Sequence, residues 1–231
     1  CFNAKRNKNK YNYIYNDYVE KFGIPKQSGI INEVVSRIEF CDEYRDLAVI
    51  KGMEEFEYIW LIFGFSRHMD SGWSKLVKPP RLGGKKKMGV FATRSPYRPN
   101  SLGLSSVKID HIDYDCENAP IIYCLGADLL NQTPIYDIKP YIAFADSHKE
   151  AKNGLVKQSP WVTLEVDFPK ELLDLLPQEK QKSVMEVLSQ DPRPAYDRGI
   201  NRDYKLAFGR YDIWFDIVDE VIHVKKVLQL S

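Results

Sequence analysis

The sequence predicts a mainly β fold: an N-terminal sheet closed into a barrel, followed by a small α+β unit. Three observations carry that reading. Short apolar or alternating runs separated by Gly- and Pro-bearing turns fill the chain as far as Tyr141. Helical spacing is almost absent over the same stretch, which favours a closed sheet. After Trp161, one stretch of helical spacing lies between alternating runs, the pattern of a small α+β unit. The two units are expected to span 1–150 and 151–231.

The elements follow in order. Asn9 to Tyr18 is tyrosine-rich and alternating, and is expected to form an edge strand. Glu20 to Gln27 reads as a loop punctuated by Gly23 and Pro25. Gly29 to Phe40 alternates in part through Ile31, Val34, Ile38 and Phe40, as a strand does. Asp46 to Phe56 fits a short amphipathic helix. Tyr58 to Phe65 is a continuous apolar run, expected to be a strand buried on both faces. Arg67 to Lys87 is a long polar loop containing Lys78-Pro79-Pro80-Arg81-Leu82-Gly83-Gly84.

A strand-like run from Met88 to Ala92 then feeds the most distinctive stretch of the chain, Thr93-Arg94-Ser95-Pro96-Tyr97-Arg98-Pro99-Asn100. Its prolines fix φ and remove backbone donors, so the loop is expected to be stiff. Two guanidiniums on such a loop suit the capture of a carboxylate or phosphate. A strand leaves at Leu104 and runs to Ile112, and another spans Pro120 to Ala127. A turn over Asp128 to Pro134 leads into Ile135 to Tyr141.

Ala143 to Ser159 is polar and patternless, as a linker would be. Trp161 to Phe168 alternates as a strand, and helical spacing runs from Pro169 to Ser189. The prolines at 192 and 194 stop it. Tyr204 to Phe208, Tyr211 to Val218 and Val221 to Leu228 are expected to close the chain as a meander.

Composition narrows the function. With 231 residues, 44% hydrophobic and 28% charged at a net charge of +1, the chain is neither disordered nor fibrous. No apolar run approaches the roughly 20 residues of a membrane helix. Cys1 to Lys10 is polar and basic, without the apolar core of a secretory leader. Four cysteines without CxxC pairing read as reduced thiols of a cytoplasmic protein. The four histidines lie far apart, so no metal site is expected.

Charge is uneven along the chain. From Ser71 to Ile109 there are nine basic residues and no acidic one: Lys75, Lys78, Arg81, Lys85, Lys86, Lys87, Arg94, Arg98 and Lys108. A basic segment beside a Gly- and Pro-rich loop is a footprint for nucleic-acid backbone, with a solvated basic face as the alternative.

Gly89 to Asn100 followed by Leu102-Gly103-Leu104-Ser105 resembles the signature of the TrmO/YaeB-type (VirR-like, TsaA-like) proteins. The resemblance continues in Pro79 to Gly84, in Glu20-Lys21-Phe22 before Pro25, in Asp137-Ile138-Lys139-Pro140-Tyr141, and in Asp191 to Tyr196. It implies a single-sheet β-barrel, a homodimer, and S-adenosylmethionine as cofactor. The activity implied is methylation at N6 of threonylcarbamoyladenosine next to the anticodon, at position 37 of tRNA. The cofactor contacts implied are Pro25, Lys26 and Gln27; Ser66 and Arg67; Arg94; Leu104; and Asp128, Leu129, Leu130 and Asn131. Departures from the family pattern occur at Lys26 (usually Arg), at Ser66-Arg67 (commonly His-Gln), and at Asn131-Gln132-Thr133-Pro134, where the family has Asp-Gly-Thr-Pro. Lys85, Lys86, Lys87, Arg98 and Lys139 are the candidate RNA contacts. No catalytic base is assigned, and Tyr97 or Tyr141 is a candidate to stack on a base. The rival readings are a non-catalytic RNA- or nucleotide-binding barrel and a methyltransferase of the same fold with another acceptor.

Overall fold

The computed structural model describes residues 12–15 (backbone only), 35–68, 72–79, 86–152, 154, 163–193, 197 and 199–230. In chain order the strands of the N-terminal half are β1 (Asn12–Tyr15), β2 (Val35–Glu39), β3 (Tyr58–Gly64), β4 (Leu76–Val77), β5 (Met88–Gly89), β6 (Leu102–Asp113), β7 (Ile121–Leu125) and β8 (Thr133–Pro140). A one-turn helix, α1 (Ala143–Asp146), follows. Then come β9 (Glu165–Asp167), α2 (Lys170–Leu173), α3 (Gln178–Ser189), β10 (Tyr204–Phe208), β11 (Tyr211–Val218) and β12 (Val221–Gln229). The fold is mainly β.

Pairing in the N-terminal half runs in a ring, β1-β2-β7-β6-β3-β8 and back to β1, all antiparallel. β1 is therefore no edge strand, because it pairs on both sides. A ring of this kind has one inner face, and the continuous apolar run of β3 splits across it. Ile59, Leu61 and Phe63 are buried, whereas Tyr58 is exposed and Trp60 and Ile62 are half-buried. The expectation of a strand buried on both faces is corrected accordingly. Ile38, Val107, Ile122, Cys124 and Ile135 complete the inner cluster with Phe40 and Ile50. Burial pushes the Cys124 thiol up to about 12, so it packs as a small apolar group and not as a thiolate.

The helix expected over Asp46 to Phe56 is replaced by two separate 3-10 turns, Leu47–Ile50 and Met53–Glu55. Gly52, at φ 85°, breaks the run between them. Leu47 and Val49 are exposed, so no apolar stripe existed to hold a helix down. The run from Met88 to Ala92 is likewise shorter as a strand than expected. β5 pairs with β4 for two residues and gives way to a 3-10 turn at Val90–Ala92, in which only Val90 is buried.

The C-terminal half has its own core. β10, β11 and β12 form the expected meander, and β9 adds to β12 in parallel, a short piece of the strand expected over Trp161 to Phe168. The helical stretch divides into α2 and α3, and α3 buries Val184, Val187 and Leu188 at helical spacing. These side chains meet Leu206, Phe208, Ile213, Phe215, Ile217 and Val224 from the sheet. The stretch expected to be a linker contains α1, held by the Asp146 carboxylate, which accepts the Ile142 N–H at 2.8 Å.

Candidate active site at one end of the strand ring

Strand register decides which loops meet. Gly64, the last residue of β3, lies opposite Leu102, the first of β6, and Phe63 lies opposite Ile135 near the start of β8. The turn after β3, the loop before β6 and the loop before β8 therefore open at the same end of the ring. Three contacts tie them together. The Phe65 N–H donates to the Ser101 carbonyl at 2.9 Å. The His68 ring meets the Tyr97 ring edge-on at 5.1 Å. The Ser105 hydroxyl donates to Asp128 Oδ1 at 3.0 Å.

Gly103 is required by the same packing. A Cβ at this position would lie 2.2 Å from Cζ of the Phe63 ring, which stacks over the bare backbone. Ser101 takes up the reversal into β6 at φ 48° and is buried.

The signature loop is a chain of short hydrogen bonds. The Thr93 hydroxyl donates to the Val90 carbonyl at 2.9 Å and accepts from the Ser95 N–H at 3.2 Å. The Tyr97 carbonyl accepts from Ser74 N–H and the Lys75 carbonyl from Val90 N–H, which fastens the loop to β4. The two arginines part company here. Arg98 is half-buried: its guanidinium donates to the Thr93 carbonyl at 2.7 Å and the Val90 carbonyl at 3.4 Å, and sits 5.8 Å from the centre of the Phe91 ring. Arg98 thus braces the loop from within. Arg94 is exposed, with no hydrogen bond or ion pair to any described residue. The pair is not one fork: one arginine is turned into the loop and the other is turned out of it.

The remaining residues fall into place around them. Ser66 and Arg67 are exposed in the turn after β3. Leu104 is 53% exposed, and its side chain lies outside the ring. Over Leu102 to Val107, β6 is registered with β3 on one side, while β7 joins its other side only from Lys108 onward. That part of β6 is where Ser105 meets the Asp128 loop. Asp128 is half-buried, and its Oδ2 has no partner among the described residues. Leu129 is buried in the ring core, and Leu130 packs against the C-terminal core. Asn131 is half-buried, and Gln132 follows at φ 61°. Thr133 closes the turn through its N–H and hydroxyl, both donating to the Leu130 carbonyl.

Of the candidate RNA contacts, Lys86 and Lys87 are exposed just before β5. Lys139 is exposed but pairs with Asp137 at 3.2 Å, on the half of β8 away from the loop end. Pro25, Lys26, Gln27 and Lys85 lie outside the described residues. Ser105 is the residue that reading the motif missed as a site member. A hydroxyl in the run Leu102-Gly103-Leu104-Ser105 was the available signal. Among the described residues there is no cluster of three metal-ligating side chains and no helix long and apolar enough to cross a membrane.

These features define a class: a mainly β protein whose anion-suited loops cluster at one end of a strand ring, unlike the helix-and-parallel-sheet proteins that bind nucleotides at a Gly-rich turn. Residues 13–147 match the tRNA-methyltransferase O N-terminal domain, and residues 162–230 match the TrmO C-terminal domain. The chain belongs to the tRNA-methyltransferase O (TrmO) family. It is 39% identical over 215 residues to the tRNA (adenine(37)-N6)-methyltransferase of Escherichia coli K12, covering 89% of this chain and 91% of that protein. It is 42% identical over 177 residues to the enzyme of the same name from Eikenella corrodens, covering 76% and 99%. A crystal structure of TrmO from Pseudomonas aeruginosa superposes with a TM-score of 0.74 at 27% identity, covering 99% of this chain and all of that one.

Proposed function

We propose that this chain is an S-adenosylmethionine-dependent tRNA methyltransferase acting on N6 of adenosine 37, with threonylcarbamoyladenosine as the acceptor. The observation that carries the reading is the convergence of three segments of implied cofactor contacts at one end of the ring, with Arg94 exposed and without a partner among the described residues and Asp128 oriented by Ser105. The donor set fits the cofactor. An exposed guanidinium suits its carboxylate, a carboxylate with one oxygen unpartnered among the described residues suits its ribose hydroxyls, and backbone near Leu104 and Leu130 suits its adenine edge.

When bound, S-adenosylmethionine supplies an electrophilic methyl group on a sulfonium. The chain's own work is positioning. Arg98 and the hydroxyls of Thr93 and Ser95 hold the loop that presents Arg94. The Ser105 hydroxyl fixes the rotamer of Asp128, so the carboxylate meets the ribose without first having to order itself. An in-line displacement gains most from such fixed geometry, and no side chain is assigned as a base.

In this reading the ring is a single-sheet barrel spanning the catalytic unit, 1–150, and the unit over 151–231 helps to seat the anticodon stem. Lys85, Lys86 and Lys87 contact tRNA phosphates, and the protein works as a cytoplasmic homodimer. Calorimetry with S-adenosylmethionine, followed by methyl-transfer assays on tRNA with and without the threonylcarbamoyl group, tests the reading. Methyl transfer confined to the threonylcarbamoylated tRNA is expected. Cofactor binding without transfer would make the chain a binding module, and transfer to unmodified RNA would change the acceptor.

A further inference from the structure

Half the length of the ring from the loop cluster, its outer face carries a recess of about 410 Å3 lined by Tyr58, Trp60, Ser106, Tyr141 and Asp146. None of the candidate cofactor contacts lines it. Its walls are aromatic: Tyr141 meets Trp60 at 5.6 Å between ring centres and Tyr58 at 6.2 Å. The Tyr141 N–H donates to the Tyr58 carbonyl at 2.9 Å, which fixes the chain leaving β8 against β3. Asp146 Oδ2 accepts from the Trp60 indole N–H at 3.0 Å and from the Ile142 N–H at 2.8 Å. Its other oxygen has no partner among the described residues. These two donors, the Ile142 N–H first, hold the Asp146 carboxyl below the usual carboxylate range, so it stays an acceptor-only group at neutral pH. Beside it α1 presents Phe144, 91% exposed.

The surroundings choose the ligand. Lys108 lies across from Tyr58 on β6, and Lys139 lies across from Trp60 on β8. Their partners, Glu57 at 3.1 Å and Asp137 at 3.2 Å, form exposed pairs that contribute little and exchange readily for phosphate. Each lysine is countered by its own carboxylate in the free protein, so the flank is neutral, and the rings with the Asp146 acceptor set the occupant's chemistry. Rings that offer π-faces, an acceptor that wants N–H donors, and flanking lysines match a nucleotide.

We propose that this recess is a second RNA contact, holding one amino-bearing nucleobase of the tRNA substrate against the Trp60–Tyr141 pair, with its exocyclic amine donating to Asp146. Gly64 is four residues along β3 from Trp60, about 13 Å at the rise of a strand. The base held here is therefore not the methyl acceptor of the same protomer's site but a neighbour on the same RNA. The inference rests on tRNA being the substrate.

The test uses the full chain and a fluorescently labelled anticodon stem–loop RNA, with anisotropy for RNA affinity and calorimetry for S-adenosylmethionine. Tyr141→Ala is expected to weaken RNA binding about tenfold or more, the loss for one base stack. Cofactor affinity and Tm should stay unchanged, and Tyr141→Phe should restore RNA binding. Unchanged RNA affinity in Tyr141→Ala overturns the proposal, as does a parallel loss of Tm and cofactor binding, which would mark a packing role. Ultraviolet cross-linking of the unsubstituted protein is independent of any folding defect. A cross-link at Trp60, Tyr141 or Phe144 is expected, and cross-links confined to other peptides overturn the recess while leaving methyl transfer standing. A protein that binds cofactor but no RNA overturns the recess and the tRNA reading together.

Discussion

In the C-terminal sheet each strand of the meander buries one face and turns the other outward; in the N-terminal ring the buried face turns inward and the candidate site segments meet at one end. The burial of β10 alternates residue by residue, and Ile213, Phe215 and Ile217 of β11 continue the same face. Its outer face carries ion pairs, Lys205 with Asp212 and Lys225 with both Asp216 and Asp203. The ring has an equally apolar interior, yet its described candidate site residues, Leu129 apart, are exposed or half-buried, and most sit in loops braced by a handful of hydrogen bonds. Stability and chemistry thus occupy different atoms. Substitutions in the C-terminal core should change folding with little effect on cofactor affinity, and substitutions at the loop end should do the reverse.

The largest expected effect tests that division directly. Phe215 is 1% exposed at the centre of the C-terminal core, and Phe215→Ala should destabilise that unit by about 3–5 kcal/mol. Denaturant unfolding should then show an early transition for the C-terminal unit, with S-adenosylmethionine affinity retained below it. One cooperative transition that carries cofactor binding with it would break the comparison, because the two cores would then fold as one.

Gly103→Val comes next and should cross the division. The new side chain would run into the buried Phe63 ring, an overpacking worth about 1–3 kcal/mol. The strand that must shift also carries Leu104 and Ser105, so cofactor affinity should fall along with the denaturation midpoint. A variant with lowered stability and unchanged affinity would show that the Ser105–Asp128 tie is not part of the site.

The two arginines sharpen the contrast within a single loop. Arg98→Ala removes two hydrogen bonds to backbone carbonyls and should cost about 1–3 kcal/mol. Arg94→Ala touches no described partner and should change stability by less than about 0.5 kcal/mol. Its cofactor affinity, measured by calorimetry, should nevertheless drop at least about tenfold, the loss of one charge-assisted contact. Equal effects of the two substitutions on stability would mean that the loop does not distinguish them.

The same pair marks where the sequence stops being legible. Arg94 and Arg98 each stand within two residues of a proline in one short loop, and nothing local says which turns inward. That is settled by the carbonyls of Val90 and Thr93, which exist as acceptors only once the 3-10 turn has formed. The meander from Tyr204 to Gln229 was readable nearly to the residue, because its alternation records a single buried face. Asp46 to Phe56 was not, because Gly52 interrupts it and Leu47, Ile50 and Met53 imitate an amphipathic stripe although Leu47 is exposed. β4 and β5 are two residues each and are defined by contact with one another, so no periodicity could announce them. The site segments were legible as motifs, whereas their meeting at one end follows from the Gly64–Leu102 and Phe63–Ile135 register, which the sequence does not state.

The smallest expected effect lies where this chain departs from its family. Gln132 is held at φ 61°, a left-handed conformation that costs a residue with a Cβ about 1–2 kcal/mol, and the family pattern has Gly at this position. Gln132→Gly removes that strain but loosens the unfolded chain, a counter-effect of about 0.4–1 kcal/mol. The net gain should be about 0.5 kcal/mol, a rise in Tm of about 1–2 °C for a chain of this size. The Thr133 bonds to Leu130 survive the change because neither uses the Gln132 side chain, so Asn131 and Asp128 should keep their places and cofactor affinity should hold. A fall in Tm would mean that the glutamine side chain secures the loop before β8. The departure at this position would then be an adaptation of the site and not a tolerated strain.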